Sequence, residues 1–172
     1  LLLLKLTVGL DYRTQQSEKF PLTSAIYACK HQSAWETIAL WILVPRAIFV
    51  MKKELYRIPV VGWWIRRAGN IAIDRKAGPG AVKQMLREAQ ARVAEGYNII
   101  IFPEGTRMPP GETKPYLPGV TALYKYLKLP VVPIAHNAGY FWPRNAFHKK
   151  PGVITLQYLP AIDAGLPQDV FL

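Results

Sequence analysis

Two short charged segments carry the side chains best suited to chemistry in this chain of 172 residues. KHQSAWET contains His31, with Glu36 five positions later, and FPEGTR occupies residues 102–107 directly after an apolar run. A histidine can remove a proton from a hydroxyl group, and a nearby carboxylate can hold its ring in one tautomer. A glycine turn that ends in arginine is suited to binding phosphate. This combination is what acyl transfer onto a phosphate-bearing alcohol requires.

The spacing of His31 and Glu36 decides whether their side chains can meet. Five positions along one helix place two side chains about 140° apart, so the pair meets only if His31 precedes the helix. Ser33 and Glu36 form the Ser-x-x-Glu pattern of a capping box, which predicts Ser33 as the N-cap and Glu36 in the first turn. The same pattern fits a Glu36 that only caps the helix and complements its dipole. Both interpretations stay open at this point.

Cys29 offers a rival chemistry. In a strand, positions 29 and 31 face the same side, so a cysteine nucleophile with a histidine partner is conceivable. A free cysteine in a short apolar strand is more often inert core. His136 and His148 have no evident partner and are predicted to be structural, and the histidines show no metal-ligand spacing.

A second loop adds to the anion-binding capacity of FPEGTR. In the IDR segment, residues 73–75, Asp74 can orient Arg75. Arg107 can bind a phosphate through two parallel N–H bonds, and Lys114 is a further cation in the following loop. Taken singly, the two segments also fit a surface ion pair and an ordinary loop. Their common position at predicted strand ends favours an anion site.

Strands that alternate with helices predict an α/β fold with a mixed, mainly parallel sheet flanked by helices. Residues 4–12 alternate apolar with polar side chains and predict a strand, while residues 80–95 follow the spacing of an amphipathic helix. The other predicted strands are 25–29, 47–51, 70–73, 97–102, 131–135 and 153–159, and the other predicted helices are 33–43, short helices within 52–68, and 120–127. In such sheets ligands gather at the carboxyl ends of the strands, where His31, Arg75 and residues 104–107 fall.

The charge and the tryptophans indicate the kind of partner. The 22 basic and 11 acidic side chains give a net charge of +11, which favours anionic partners. No helix-turn-helix, zinc-finger or RNP pattern is present, so nucleic acid is not predicted as a partner. Trp63 and Trp64 beside Arg66 and Arg67 are typical of a membrane-interface segment, although one core tryptophan with solvated arginines is the alternative. The longest apolar run, residues 38–44, is too short to span a bilayer.

Four blocks in order resemble the PlsC-like glycerolipid acyltransferases, specifically the 1-acyl-glycerol-3-phosphate acyltransferases. HQSAWE is similar to the family's His-x4-Asp block, GNIAIDR to the second block, FPEGTR to the third and VVPIAHNAG to the fourth. The match covers almost the whole chain. It predicts one acyltransferase domain over residues 1–172, and the abrupt Leu-rich start at Leu1 leads us to expect that a membrane-associated N-terminal segment is missing.

The resemblance implies transfer of a fatty acyl group from acyl-CoA or acyl-ACP to the free hydroxyl of lysophosphatidate, which gives phosphatidate in phospholipid biosynthesis. It makes His31 the general base and Glu36 its orienting carboxylate. The other residues carried over would bind the glycerophosphate: Arg75, Glu104, Gly105, Thr106 and Arg107. It implies no metal and no prosthetic group, since the acyl donor is a co-substrate. It also implies association with the cytoplasmic face of a membrane.

Two alternatives stand beside this interpretation. The acceptor could be another lysolipid or glycerol-3-phosphate, or the domain could bind anionic lipid without catalysis. The chain also departs from the family pattern, which usually has Asp where this chain has Glu36. The extra methylene changes the reach to His31 by more than a hydrogen bond tolerates unless the backbone shifts. His136, within the fourth block, is a lesser departure.

Overall fold

The computed structural model describes residues 1–16, 21, 23–167 and 171, with the backbone alone for Arg75. In this part of the chain the strands are β1 Leu10–Gln16, β2 Ile26–Cys29, β3 Ala47–Lys52, β4 Ile71–Ile73, β5 Asn98–Ile101, β6 Val131–His136 and β7 Gly152–Tyr158. The helices are α1 Leu2–Val8, α2 Trp35–Leu43, α3 Val61–Arg67, α4 Pro79–Ala94, α5 Pro118–Leu127 and α6 Ala138–Phe141. Short 3-10 helices cover Lys53–Arg57 and Arg75–Ala77.

The strands form one sheet in the order β1-β7-β6-β2-β5-β3-β4. The pairings of β1 with β7, β6 with β2, β2 with β5, β5 with β3 and β3 with β4 are all parallel. The β6–β7 pairing is antiparallel, so β1 and β7 run against the other strands. The predicted fold class, a mixed and mainly parallel sheet flanked by helices, is confirmed.

Each face of the sheet packs against its own layer of helices. Alternate residues of a strand point to opposite faces, so Tyr27 and Cys29 join the apolar cluster under α2, while Ile26 joins the cluster under α4 and α5. On the second face, the buried side chains of α4 lie at the helical spacing that predicted this element. Burying each large apolar side chain contributes roughly 1.5–3 kcal/mol. The two layers therefore hold the central strands rigidly from both sides.

The predicted strand over residues 4–12 is wrong in its first half. Residues Leu2–Val8 form α1, and β1 begins only at Leu10. Leu1, Leu4 and Val8 pack against the core at helical spacing, and two of them, Leu4 and Val8, also belong to the alternating pattern. Gly9 then ends the helix in the left-handed region, at φ 69°, with its N–H bonded to the carbonyl oxygens of the last turn. A glycine cap, rather than a change in hydropathy, separates helix from strand here.

The helix after β2 begins slightly later than predicted. Its N-cap is Ala34, not Ser33, because the backbone of Ala34 is already close to helical, at φ −78° and ψ −20°. The returning bond of the capping box is nevertheless present, whereas Ser33 Oγ binds one residue short of the Glu36 N–H that a full box requires. Ser33 Oγ accepts from the N–H of Trp35, and the N–H of Ser33 donates to the Glu36 carboxylate, at 2.7 Å to Oε1 and 3.0 Å to Oε2. His31 precedes the helix and Glu36 lies in its first turn, as the spacing predicts.

Candidate functional site

The polar residues of the site lie at the ends of three neighbouring strands. β2 lies between β6 and β5, and these three strands are mutually parallel. His31 follows the end of β2, Glu104 follows the end of β5, and His136 is the last residue of β6. Because parallel strands end at one edge of a sheet, residues far apart in the chain meet here.

The structure brings His31 and Glu36 into direct contact. Nδ1 of His31 lies 2.8 Å from Oε1 of Glu36, whose side chain is fully buried. The same Oε1 accepts the N–H of Gln32 at 2.8 Å, so backbone donors also hold the carboxylate. An ionised carboxylate only accepts, which places the ring proton on Nδ1 and leaves the lone pair on Nε2. Among the described residues none bonds Nε2, and the ring keeps 16% of its surface exposed.

This contact shows that Glu36 can bond to His31 although the family usually has the shorter Asp at this position. The Glu36 side chain starts in the first turn of α2 and folds back toward the segment that precedes the helix. Its 2.8 Å separation from the ring of His31 is an ordinary hydrogen-bond distance. The longer carboxylate therefore reaches the histidine in the backbone that this chain adopts.

The backbone and the ring of His31 are also held by the loop after β5. The N–H of His31 donates to Oε2 of Glu104 at 2.7 Å, and its carbonyl oxygen accepts the N–H of Met108 at 2.8 Å. The imidazole stacks on Phe102, with ring centroids 4.0 Å apart. These contacts fix both the position of the histidine and the plane of its ring.

Glu104 lies in the interior, facing His31. Its side chain is only 2% exposed, and Oε1 pairs with Nζ of Lys30 at 3.2 Å. With one oxygen on Lys30 and the other on the His31 backbone, this carboxylate is held within the protein. Sequence reasoning placed Glu104 in the substrate site but did not anticipate that it holds the segment carrying His31.

Gly105 forms the turn that exposes the rest of FPEGTR. It has φ 65°, where a side chain would be strained, and its N–H bonds to the carbonyl oxygen of Phe102 at 2.9 Å. Thr106 and Arg107 follow it and are partly exposed. Nη1 of Arg144 approaches Thr106 Oγ1 at 3.5 Å and the Arg107 carbonyl oxygen at 3.4 Å. The guanidinium of Arg144 thus lies against the backbone of Arg107, near the carboxyl end of β5.

An open cavity of about 410 Å³ lies beside this loop. Lys30 and Lys114 bring two ammonium groups to its wall, and the buried Glu104 contributes to its lining. The predicted cation Lys114 is therefore near the site, on the exposed segment between β5 and α5. Arg144 and Lys30 add positive charge that sequence reasoning did not assign to the site.

The IDR loop lies further along the same edge of the sheet. β4 is separated from β5 by β3, which corresponds to about 10 Å between the two strands. Asp74 accepts the N–H of Lys76 at 3.0 Å and lies 3.9 Å from Nζ of Lys53. The side chain of Arg75 lies outside the described part of the structure, so its pairing with Asp74 and its place in the anion site stay predictions.

Cys29 is unsuited to act as a nucleophile. Its side chain is fully buried, and Sγ donates to the carbonyl oxygen of Lys30 at 3.2 Å. Burial, together with the nearby charges of Glu36 and Glu104, raises the pKa of the Cys29 thiol well above its usual value. The thiol form is inert core, which is the alternative that the sequence favoured.

No helix within the described residues is long and apolar enough to cross a membrane. The surface does carry exposed tryptophans. Trp63 is 66% and Trp64 54% exposed, so neither is a core residue. The alternative of one buried tryptophan in this segment is wrong, because α3 turns both rings outward and buries Gly62 and Ile65 instead.

Comparison with known proteins connects this chain to one family. The model of a family described as Acyltransferase matches residues 11–137. A 1-acyl-sn-glycerol-3-phosphate acyltransferase of Pseudomonas aeruginosa is 38% identical over 162 residues, which cover 94% of this chain and 63% of that protein. A coconut (Cocos nucifera) protein of the same name is 30% identical, over 87% of this chain and 49% of that protein.

A solved structure gives the same result. The crystal structure of the 1-acyl-sn-glycerophosphate acyltransferase PlsC from Thermotoga maritima matches with a TM-score of 0.72 at 28% identity. The match covers 89% of this chain and 61% of that chain. This chain therefore spans less than two thirds of the length of each of these three relatives.

Proposed function

The chain belongs to the acyltransferase family, and from this premise we propose that it transfers a fatty acyl group to the free hydroxyl of lysophosphatidate, giving phosphatidate. The donor would be acyl-CoA or acyl-ACP. The hydrogen bond of 2.8 Å between Nδ1 of His31 and Oε1 of Glu36 carries the proposal. The names of the relatives support lysophosphatidate as the acceptor.

In the proposed reaction His31 is the general base. Its Nε2 takes the proton of the acceptor hydroxyl as the hydroxyl oxygen attacks the thioester carbonyl. Glu36 keeps the ring in the Nδ1–H tautomer and stabilises the imidazolium that forms. The tetrahedral intermediate then collapses: the acyl C–S bond breaks, the new ester remains, and the imidazolium returns its proton to the thiolate. The reaction needs no metal and no prosthetic group.

Replacing His31 tests the base directly. We expect His31→Ala to lower kcat at least about 100-fold, because general base catalysis contributes roughly 10²–10⁴-fold. The assay follows labelled acyl groups from acyl-CoA into phosphatidate in the presence of lysophosphatidate. His148→Ala is the matched control, since His148 is exposed and lies outside the site.

Near-normal turnover of a folded His31→Ala protein would rule out the base assignment. A wild-type protein that binds anionic lipid but forms no product would favour the non-catalytic alternative. Product formed with glycerol-3-phosphate or another lysolipid, but not with lysophosphatidate, would change the acceptor and leave the base in place.

The cations near the turn at Gly105 are proposed to bind the acceptor phosphate. Among the described residues none pairs with the Arg107 guanidinium, and an unpaired guanidinium can bind a phosphate through two bonds. We expect Arg107→Ala to raise KM for lysophosphatidate about 10-fold or more, since hydrogen bonds to charged groups contribute roughly 1.5–3 kcal/mol. Monoacylglycerol, which lacks the phosphate, should be much less affected.

Arg87→Ala, on the exposed surface of α4, serves as the charge-matched control for Arg107→Ala. Both variants lose one positive charge, so a general electrostatic effect on an anionic substrate would appear in both. Equal losses for Arg107→Ala toward phosphorylated and unphosphorylated acceptors would contradict the phosphate site.

We further propose that the protein works at the cytoplasmic face of a membrane through a Trp face, defined as Val60, Val61, Trp63 and Trp64. These four side chains are 81%, 52%, 66% and 54% exposed. The same segment carries exposed basic residues: Lys52, Lys53, Arg57, Arg66 and Arg67. Interfacial tryptophans beside basic residues suit an anionic lipid surface, where both acceptor and product reside.

A further inference from the structure

The peptide unit that joins Lys30 to His31 is held at both ends by buried side chains. Its carbonyl oxygen accepts from Nε2 of His136 at 2.7 Å, and its N–H donates to Oε2 of Glu104 at 2.7 Å. A peptide unit is planar, so holding its C=O and its N–H fixes the orientation of that plane. The direction in which the His31 side chain leaves the backbone is fixed with it.

His136 makes this contact in one defined tautomer. Its side chain is fully buried, and its Nδ1 accepts the N–H of Ala138 at 3.2 Å. A nitrogen that accepts carries no proton, so the proton of the ring lies on Nε2, which faces the carbonyl oxygen of Lys30. Both ring nitrogens are thus engaged in the neutral form. This arrangement leaves His136 no lone pair with which to act as a second base.

Nε2 of His136 also lies 3.9 Å from Oε2 of Glu36. The distance is too long for a hydrogen bond, and the N–H of the ring is directed to the Lys30 carbonyl oxygen, but the buried carboxylate still lies beside the ring. Oε1 of Glu36 forms a hydrogen bond with the His31 ring, so the two histidines lie next to different oxygens of one carboxylate. The two positions where this chain departs from the family pattern, Glu36 and His136, are neighbours in space.

We propose that His136 is a positioning residue for the His31–Glu36 pair. It holds the Lys30 carbonyl, and so the plane that carries His31, and it faces the oxygen of Glu36 that His31 does not use. The His136 side chain is fully buried, so it acts through His31 rather than on a substrate. The expected effect of His136 on turnover rests on the proposed function. Its expected effect on the tautomer of the His31 ring does not.

Three substitutions separate the two hydrogen bonds of His136. In His136→Gln, the amide nitrogen lies the same number of bonds from Cα as Nε2 and keeps the donor to Lys30. In His136→Asn, the side-chain oxygen corresponds to Nδ1 and keeps only the bond from Ala138. His136→Phe keeps the ring but neither bond.

We expect His136→Gln to stay within about threefold of the wild-type kcat, while His136→Asn and His136→Phe fall about 10- to 100-fold, because small displacements of a catalytic group have effects of this size. KM for lysophosphatidate should change less than about twofold in all three, since none of these changes touches the phosphate site. A loss in His136→Gln as large as in His136→Asn would overturn the proposal, and so would full activity in all three.

A second measurement needs no turnover. In protein labelled with ¹⁵N-histidine, long-range ¹H–¹⁵N correlation spectra show which ring nitrogen carries the proton. We expect Nε2–H for His136 and Nδ1–H for His31 in the wild type. In His136→Asn, His31 should become a mixture of tautomers, and in His136→Gln it should stay as Nδ1–H.

This spectrum tests the positioning role of His136 separately from the proposed acyltransferase function. An unchanged His31 tautomer in His136→Asn, or a wild-type His136 protonated on Nδ1, would overturn the positioning role even if the protein is an active acyltransferase. The expected tautomers in a protein without acyltransferase activity would contradict the proposed function and support the positioning role. If His136→Asn does not fold, His136→Phe, which also lacks the donor to Lys30, takes its place beside His136→Gln in both measurements, with the same expected and overturning results.

Discussion

At the residue scale, Glu36 has two functions that the sequence presented as alternatives. Its carboxylate accepts from the Ser33 N–H, as a capping residue does, and from the His31 ring, as an orienting residue does. The side chain can serve both because the capping bond folds it back over the residues that precede the helix. The segment before α2 is therefore held by the same group that orients the histidine.

The substitution Glu36→Asp tests how closely the side-chain length fits this backbone. Removing one methylene withdraws the carboxylate from the ring of His31, and we expect kcat to fall about 10-fold or more, as for loss of a charge-assisted hydrogen bond. The measurement is the acyl transfer assay with acyl-CoA and lysophosphatidate.

Glu95→Asp is the control for Glu36→Asp, because the Glu95 side chain, directly after α4, is exposed and pairs with Arg92 of that helix. Wild-type kcat in Glu36→Asp would show that the backbone adjusts to the family's usual residue, and would contradict a role for the length of Glu36.

At the element scale, the close packing of α3 on the preceding 3-10 helix determines how the Trp face is displayed. Gly62 is buried, and a Cβ there would collide with the backbone carbonyl oxygen of Tyr56. The hydroxyl of Tyr56 in turn bonds the carbonyl oxygen of Asn70 at 2.8 Å, just before β4. A glycine at position 62 thus lets α3 approach closely enough to be fixed to the sheet.

We expect Gly62→Ala to lower the free energy of unfolding by about 1–3 kcal/mol, because the overpacked contact is with backbone and cannot rotate away. Urea unfolding followed by tryptophan fluorescence measures the change. Gly80→Ala is the matched control, since a Cβ at Gly80 meets nothing within 4 Å and alanine favours the helix. Equal stability of Gly62→Ala and wild type would mean that α3 does not pack as described.

At the scale of the whole molecule, the Trp face and His31 are connected by a row of aromatic rings. His31 stacks on Phe102, Phe102 lies 6.0 Å from Phe49, and Phe49 stacks on Trp41 at 5.1 Å. Trp41 lies 5.2 Å from Trp64, which is exposed. The α2 side of the sheet thus joins the site to the proposed lipid-facing surface through contacts between neighbouring rings.

The double substitution Trp63→Ser with Trp64→Ser tests the membrane proposal. We expect it to weaken binding to vesicles that contain anionic phosphatidylglycerol at least about 10-fold, because each buried aromatic side chain contributes roughly 1.5–3 kcal/mol. Binding of the wild type should weaken as salt increases, since the surrounding charges are exposed. Co-sedimentation with vesicles measures both effects.

Tyr126→Ser is the control for the Trp face. Tyr126 is 45% exposed but lies on α5, in the opposite helix layer. If Tyr126→Ser reduced vesicle binding as much as the double tryptophan substitution, the Trp face would not be the membrane-binding surface.

Local sequence patterns were sufficient for most of the secondary-structure elements. The amphipathic spacing in α4, the apolar run of β5 and the Ser-x-x-Glu cap of α2 depend on neighbours within a few positions, and each was predicted to within about two residues. They failed at α1, where the same leucines fit both an alternating and a helical pattern. Packing against the core, which the local pattern does not contain, determined that these residues form a helix and not a strand.

What the sequence determined by itself is the set of reactive groups: a histidine placed before a helix, a carboxylate in its first turn and a glycine turn that ends in arginine. The tertiary structure decided which of these groups meet. Glu104 and His136 lie 73 and 106 positions beyond their partners His31 and Lys30, yet both are in hydrogen-bond contact. Strand order brings them there, and strand order arises from packing across the whole sheet, which no local spacing encodes.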